Sequence, residues 1–268
     1  MTILIKLGGS LITDKTKAKT FRRESVGIIA RQVLRLRDLN QGMRIVIGHG
    51  SGSFGHFEAR KYRTVEGVHT SQQRQGFVQV GAVAAELSLL VQNEFLAAGL
   101  PIMRFQPSTT VVARKGQIKS FDSRALSLAL DQGLVPLIHG DIALDERIGG
   151  TIISTEALFA HLVEPLAVEQ IILLGEVDGV FNQRGEVVPL ITPSSFADLR
   201  YALSGSHGID VTGGMLQKVE SMIALARACP SLEVVIANGS RDGILVDLLS
   251  NRHHFGTRIC SDRSSSLP

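Results

Sequence analysis

Tryptophan is absent from the 268 residues, aromatic residues make up 5% of them, and there are only two cysteines. Each scarcity removes a class of function. Nucleic-acid surfaces combine clustered Lys and Arg with stacking aromatics, and the densest basic segment here, Lys15-Thr16-Lys17-Ala18-Lys19, is short and carries no aromatic. No nucleic-acid partner is expected. Cys229 and Cys260 stand alone, without CxxC spacing or a histidine cluster beside them. That pattern supports neither a zinc site nor a disulfide framework and fits a reducing, cytoplasmic compartment. The stretch from Met1 to Gly8 reaches Lys6 after a few apolar residues, too few for a secretory leader. The most apolar helical stretch, Val78 to Leu100, is interrupted by Gln79, Glu86, Gln92, Asn93 and Glu94, which argues against a membrane span. The G-x-x-x-x-G-K-[ST] pattern of a P-loop is also missing.

What is present is ordinary globular material, 44% hydrophobic and 20% charged. The net charge of +3 is a solvated face or a mild preference for anionic ligands. Apolar runs at Thr2–Leu7, Arg44–Gly48, Pro101–Phe105, Val135–His139, Gln170–Leu174 and Leu232–Ala237 read as strands, several covered on both faces. Between them, helices are predicted over Arg23–Leu39, Gln73–Ala98, Ser123–Gln132, Thr155–Leu166 and Gly213–Ala228. Strands alternating with helices specify an α/β fold with a central, mostly parallel sheet. Gly42, Gly99 and Gly133 stand where the first three helices need a left-handed terminal residue. Thr110–Ala113 and Gln117–Ser120 read as a hairpin turning at Arg114-Lys115-Gly116. The weakest seam is at Glu164-Pro165, dividing residues 1–165 from 166–268 as two lobes of one sheet.

Three glycine-rich segments carry the chemistry: Lys6-Leu7-Gly8-Gly9-Ser10, His49-Gly50-Ser51-Gly52-Ser53-Phe54-Gly55-His56 and Asp210-Val211-Thr212-Gly213-Gly214-Met215. A tight turn explains any one of them. Three together, with lysines close by, suit a polyphosphate, because glycine lets backbone N–H groups approach phosphate oxygens. Gly50 to Gly55 also satisfies G-x-G-x-x-G, but the acidic residue a dinucleotide site wants about twenty residues on is missing. Lys6 closes a buried strand and so requires an anionic partner. Lys15 follows in the next loop, and Lys218 lies one helical turn beyond Gly214. Asp141, after His139-Gly140, is a candidate for orienting lysines or bound magnesium, with a turn cap as the alternative. Phe77, Val80, Ala84 and Leu87 recur at helical spacing, as a core-facing stripe or as a wall for an apolar tail.

In order along the chain, these segments, together with His139-Gly140-Asp141 and Val177-Asp178-Gly179-Val180, resemble the motifs of the amino acid kinase superfamily. The match runs from residue 3 to about 258. Gly52-Ser53-Phe54-Gly55-His56 with Lys15, Gln106-Pro107-Ser108 and the segment from Ile209 to Gly214 resemble the isopentenyl phosphate kinases within it. The resemblance implies a three-layer αβα sandwich that dimerises, an N-terminal lobe for the phosphoryl acceptor and a C-terminal lobe for ATP with magnesium. Carried over, His56 holds the acceptor phosphate, with Ser51 and Thr155 on the same ligand, and Lys15 stabilises the transition state. Lys6, Gly8, Gly9, Ser10, Gly52, Glu176, Gly214 and Lys218 line the ATP site. Two departures from the family pattern stand out: Ser154-Thr155-Glu156 replaces the usual Ser-Gly-Asp, beside the expected acceptor phosphate, and Gly175-Glu176 the usual Thr-Asp. A phosphonate kinase of the fosfomycin type and a non-catalytic nucleotide sensor are the rival readings.

Overall fold

Every residue of the first strand, β1 (Thr2–Leu7), is buried, and a parallel strand flanks it on each side. The computed structural model describes residues 1–55, 62, 67–197, 199–200, 213–250 and 255–262. After β1 come the short α1 (Gly9–Ile12), α2 (Arg23–Leu39), β2 (Arg44–His49) and the long α3 (Ser71–Ala97). Then follow β3 (Ile102–Arg104), β4 (Val111–Arg114), β5 (Gln117–Phe121), α4 (Arg124–Asp131), β6 (Val135–His139), β7 (Asp141–Asp145) and β8 (Gly149–Ile153). The remainder is α5 (Thr155–Leu162), β9 (Gln170–Gly175), β10 (Leu190–Ile191), α6 (Gly213–Ala228), β11 (Glu233–Asn238), α7 (Ile244–Leu249) and β12 (Thr257–Ile259).

The main sheet has eight strands in the order β10-β12-β11-β9-β1-β2-β6-β3, with only the β11–β12 pair antiparallel. Strands from before and after the Glu164-Pro165 seam meet where β1 pairs with β9. Because side chains alternate across a strand, β1 feeds two cores. Ile3, Ile5 and Leu7 pack with Ile29 and Val33 of α2 and Leu87 and Phe95 of α3. Leu4 packs on the other face with Phe159 of α5 and Val219 and Met222 of α6. The result is an α/β sandwich of three layers. The same alternation points Lys6 toward the α5 and α6 side.

Element ends depart from the expected ones for identifiable reasons. Helix α3 begins two residues earlier than expected because Thr70 and Gln73 form a capping box, Thr70 Oγ1 accepting from Gln73 N at 3.2 Å and Gln73 Oε1 accepting from Thr70 N at 2.9 Å. By length and mean hydropathy α3 is able to cross a bilayer despite its polar residues, yet one face of it, including Phe77, Val80 and Leu87, is buried in the protein. The regular ladder of helix α5 stops at Leu162, short of the expected Leu166, because Pro165 has no N–H to donate; the turn still closes, with Leu166 N donating to the Leu162 carbonyl at 3.1 Å and Ala167 following at φ 47°.

A second sheet, β5-β4-β7-β8, was not expected beyond its first hairpin. That hairpin turns through Lys115 at φ 53° and Gly116 at φ 78°, the pair of positive angles a tight two-residue turn requires. Asp145 fastens it to the next one: its carboxylate accepts from the backbone N–H groups of Lys115, Gly116, Arg147 and Ile148 at 2.7–3.1 Å. These bonds hold the Asp145 carboxyl below its ordinary pKa against the opposing effect of burial.

Candidate active site

Parallel strands place their carboxyl ends on one edge of the sheet, and an open crevice forms beyond them. Here β1, β2, β6 and β9 deliver Gly8-Gly9, Gly50 to Gly55, Gly140 and Gly175 to a common cavity of about 340 Å³. The first two loops touch backbone to backbone. A Cβ on Gly9 would lie 2.7 Å from Gly52 Cα, and one on Gly8 would lie 2.7 Å from the Leu174 carbonyl oxygen. Gly52 has a φ of +48°. These positions leave no room for a side chain, so the two loops meet backbone to backbone at the cavity.

Lys6, Lys15 and Lys218 line the same cavity, as do Ser10, Ser51, Thr155 and Glu156. Lys6, 8% exposed, forms an ion pair with Glu156. Burial pushes the Glu156 carboxyl up, but the charge and hydrogen bond of Lys6, with Lys218 adding, hold it below its ordinary value. The Lys218 ammonium is shifted down, first by burial and then by the charge of Lys6, while Glu156 opposes the shift and Lys15 adds to it. Three lysines therefore line one cavity, with Glu156 as the counter-charge shared by Lys6 and Lys218. Burial, and after it the neighbouring ammonium groups, disfavour the charged form of Lys218, and a polyphosphate would supply the negative charge that favours it. Apolar lining comes from Val80 and Ala84 of α3 and Ile152 and Ile153 of β8.

Several expected site residues are placed differently. Asp141 lines the cavity and starts β7, but its carboxylate accepts from Gln106 Nε2 at 2.6 Å, Ser108 N at 3.1 Å and Ile142 N at 2.8 Å. Burial raises its pKa against those bonds. Orientation of a lysine falls instead to Glu156, the residue that had looked only like a departure. The Thr155 hydroxyl is spent internally, donating to the His49 carbonyl at 2.6 Å. Glu176 pairs with Arg22 rather than lining the cavity, where Gly175 stands. Gly214 lies in the first turn of α6, one turn before Lys218. His56 and Asp210-Val211-Thr212 fall outside the described residues.

Sequence reasoning missed a second feature beneath the crevice. His49 and His139 end the neighbouring parallel strands β2 and β6 in register, and their rings stack with centroids 5.3 Å apart. Both are fully buried. His49 Nδ1, when protonated, donates to the Gly50 carbonyl at 3.0 Å. Burial, then the proximity of His139, pushes the His49 pKa down to about 3. Burial, then the charge of Arg104, pushes that of His139 down to about 4. The visible signal was a histidine-glycine pair closing two adjacent apolar strands.

With this geometry in hand, comparison with known proteins is specific. The model of the family described as the amino acid kinase family matches residues 1–238. An isopentenyl phosphate kinase of Methanothermobacter thermautotrophicus is 32% identical over 268 aligned residues, spanning 96% of this chain and 98% of that protein. One from Methanocaldococcus jannaschii is 30% identical over 226 residues, 82% of this chain and 86% of the relative. Among solved structures, an X-ray structure of isopentenyl phosphate kinase matches with a TM-score of 0.80 at 27% identity, covering 97% of this chain and 100% of that one.

Proposed function

The chain belongs to the amino acid kinase family, and from that premise we infer that it transfers the γ-phosphate of ATP to isopentenyl phosphate, giving isopentenyl diphosphate and ADP. An oxygen of the acceptor phosphate attacks the γ-phosphorus, the bond from γ-phosphorus to the β–γ bridging oxygen breaks, and ADP leaves. No proton has to be removed from a phosphate oxygen that is already anionic. The protein's task is to position two anions and neutralise charge on the oxygens in flight.

One observation carries the reading: a single crevice joins a glycine floor and three lysines to an apolar wall of Val80, Ala84, Ile152 and Ile153. That arrangement suits a ligand with an anionic head and a short hydrocarbon tail. We assign Lys6, Lys218 and, from the rim, Lys15 to the charge on the transferring phosphoryl group, and Gly8, Gly9, Ser10, Gly52 and Gly214 to the ATP phosphates. Ser51 and His56, with the backbone at Thr155, are assigned to the acceptor phosphate. Among the described residues no group of three or more His, Cys, Asp or Glu gathers to cage a metal. Magnesium, which keeps its waters and prefers phosphate oxygens, fits such a site as a passenger on the nucleotide and would shield its charge.

Dimerisation and a cytoplasmic location belong to the same proposal. Val78, Leu89 and Leu96 are exposed along one side of α3, apolar surface that a second copy would cover. Cys229 and Cys260 are free thiols, as a reducing compartment allows.

The test is ADP release by purified protein with ATP and magnesium across phosphate, phosphonate and amino acid acceptors, with the product read by phosphorus NMR. Isopentenyl phosphate is expected to give a diphosphate. Turnover confined to a phosphonate, or nucleotide binding without product from any acceptor, would overturn the assignment.

A further inference from the structure

We propose that Thr13, a residue outside the cavity, is a positioning residue that sets the spacing between the two phosphate-binding loops. The inference rests on the kinase reading above. Thr13 is fully buried behind the glycine floor. Its hydroxyl donates to the Gly9 carbonyl at 2.6 Å and accepts from Ser53 N at 2.9 Å. One oxygen thus ties the loop after β1 to the loop after β2. The tie leaves little slack, because a Cβ on Gly52 would collide with both the hydroxyl and the methyl of Thr13.

A third segment is fixed at the same point. Thr13 pairs with Phe21 in an isolated antiparallel bridge, which closes the base of the loop carrying Lys15. Asp14 N donates to the Thr20 carbonyl at 2.9 Å across that base, and Thr20 N donates to Ser53 Oγ at 3.3 Å. The Thr13 side chain therefore joins the Gly8-Gly9 loop to the Gly50–Gly55 loop, and its backbone, with the Ser53 hydroxyl, anchors the Lys15 loop beside them. In the proposed reaction the three loops hold the donor phosphates, the acceptor phosphate and the transition-state charge. A hydroxyl serves here because a single atom must donate to one loop and accept from the other. Valine has the same shape and does neither.

The distinguishing consequence is that Thr13 acts on two ligands together and not on either alone. Thr13→Val is expected to bind ADP and isopentenyl phosphate separately within about twofold of wild type, while kcat falls roughly tenfold or more through misalignment of the reacting atoms. An adenosine tetraphosphate carrying an isopentenyl ester, which spans both subsites, should lose affinity by a similar factor. Thr13→Ser keeps the hydroxyl and should restore most of both. Thr13→Ala, which removes the same oxygen without crowding, is measured in parallel in case the valine variant does not fold.

Wild-type turnover and analogue affinity in Thr13→Val and Thr13→Ala would overturn the proposal. So would a loss of single-ligand affinity that tracks a fall in melting temperature, or a Thr13→Ser variant as impaired as the others. Absence of ADP release by the wild-type protein with isopentenyl phosphate would instead sink the kinase reading on which the proposal stands.

Discussion

The two ends of the central sheet carry the same residue types for different physical reasons. At the amino end, a cavity of about 640 Å³ is bordered by Gly42, Gly99 and Gly133, each with positive φ and nothing within 4 Å of where a Cβ would be. They end helices. Its arginines are committed: Arg37 donates to the Gly133 carbonyl at 2.8 Å, and Arg44 pairs with Asp131 at 3.1 Å. At the carboxyl end the cavity is smaller, about 340 Å³, but Gly8, Gly9 and Gly52 have other backbone or side chains where a Cβ would be. Lys6 and Lys218 share Glu156, and the charges of Lys6 and Lys15 both bear on Lys218. Cavity size and glycine content therefore do not mark a site. Buried cationic charge in excess, set against backbone that admits no side chain, does.

The sharpest way to test that contrast is acid. Among the described residues the central sheet buries Lys6, His49 and His139 at its carboxyl end. Both imidazoles are ordinary in the unfolded chain, taking up protons below a pKa of 6.5, whereas in the fold they stay neutral down to about 3 and about 4. Stability from this pair is thus complete above pH 6.5 and drains as the pH falls toward 4. With two protons excluded, the folding equilibrium should drop by up to about 100-fold per pH unit in that window. Denaturant titrations at stepped pH should show this slope roughly halved in His139→Gln, and an unchanged slope would remove the pair as its origin.

Next in size is turnover. Lys6→Met or Lys218→Met should lower kcat by about 100-fold or more, since groups aimed at transition-state charge contribute several kcal/mol. Arg37→Met, at the opposite end, should leave kcat near wild type. Equal turnover in all three folded variants would erase the distinction between the ends.

The glycines give the smallest and most discriminating contrast. Gly9→Ala should push the two phosphate loops apart and reduce kcat/KM by roughly tenfold, within the range that small misplacements cost. Gly133→Ala should cost only about 1 kcal/mol of stability, the penalty of a side chain at positive φ, with kcat intact. If Gly9→Ala were as active as Gly133→Ala, the contact between Gly9 and Gly52 would have no catalytic meaning.

Much of the fold was legible because burial on both faces leaves a local signature. The runs at Thr2–Leu7 and Val135–His139 match β1 and β6 at both ends, and the glycines at 42, 99 and 133 follow α2, α3 and α4. Strands β7 and β8 were not legible, because their order comes from Asp145 gathering amides from two turns that are remote in sequence.

The site divides in the same way. Residue order alone singled out Lys6, Lys15, Lys218 and the first two glycine loops, which the fold gathers at one cavity, since a glycine after a buried strand is constrained by near neighbours. What the order could not give was the state of each polar group. Whether Asp141 or Glu156 holds Lys6 depends on which partners reach each carboxylate: Gln106 and Ser108 claim the first, and β1's alternation turns Lys6 toward the second. Side-chain identity and strand period are properties of the sequence. Which carboxylate is free, which histidine is dry and which threonine joins two loops depend on groups as far as 150 residues apart, like Lys6 and Glu156, and only the packed chain brings those together.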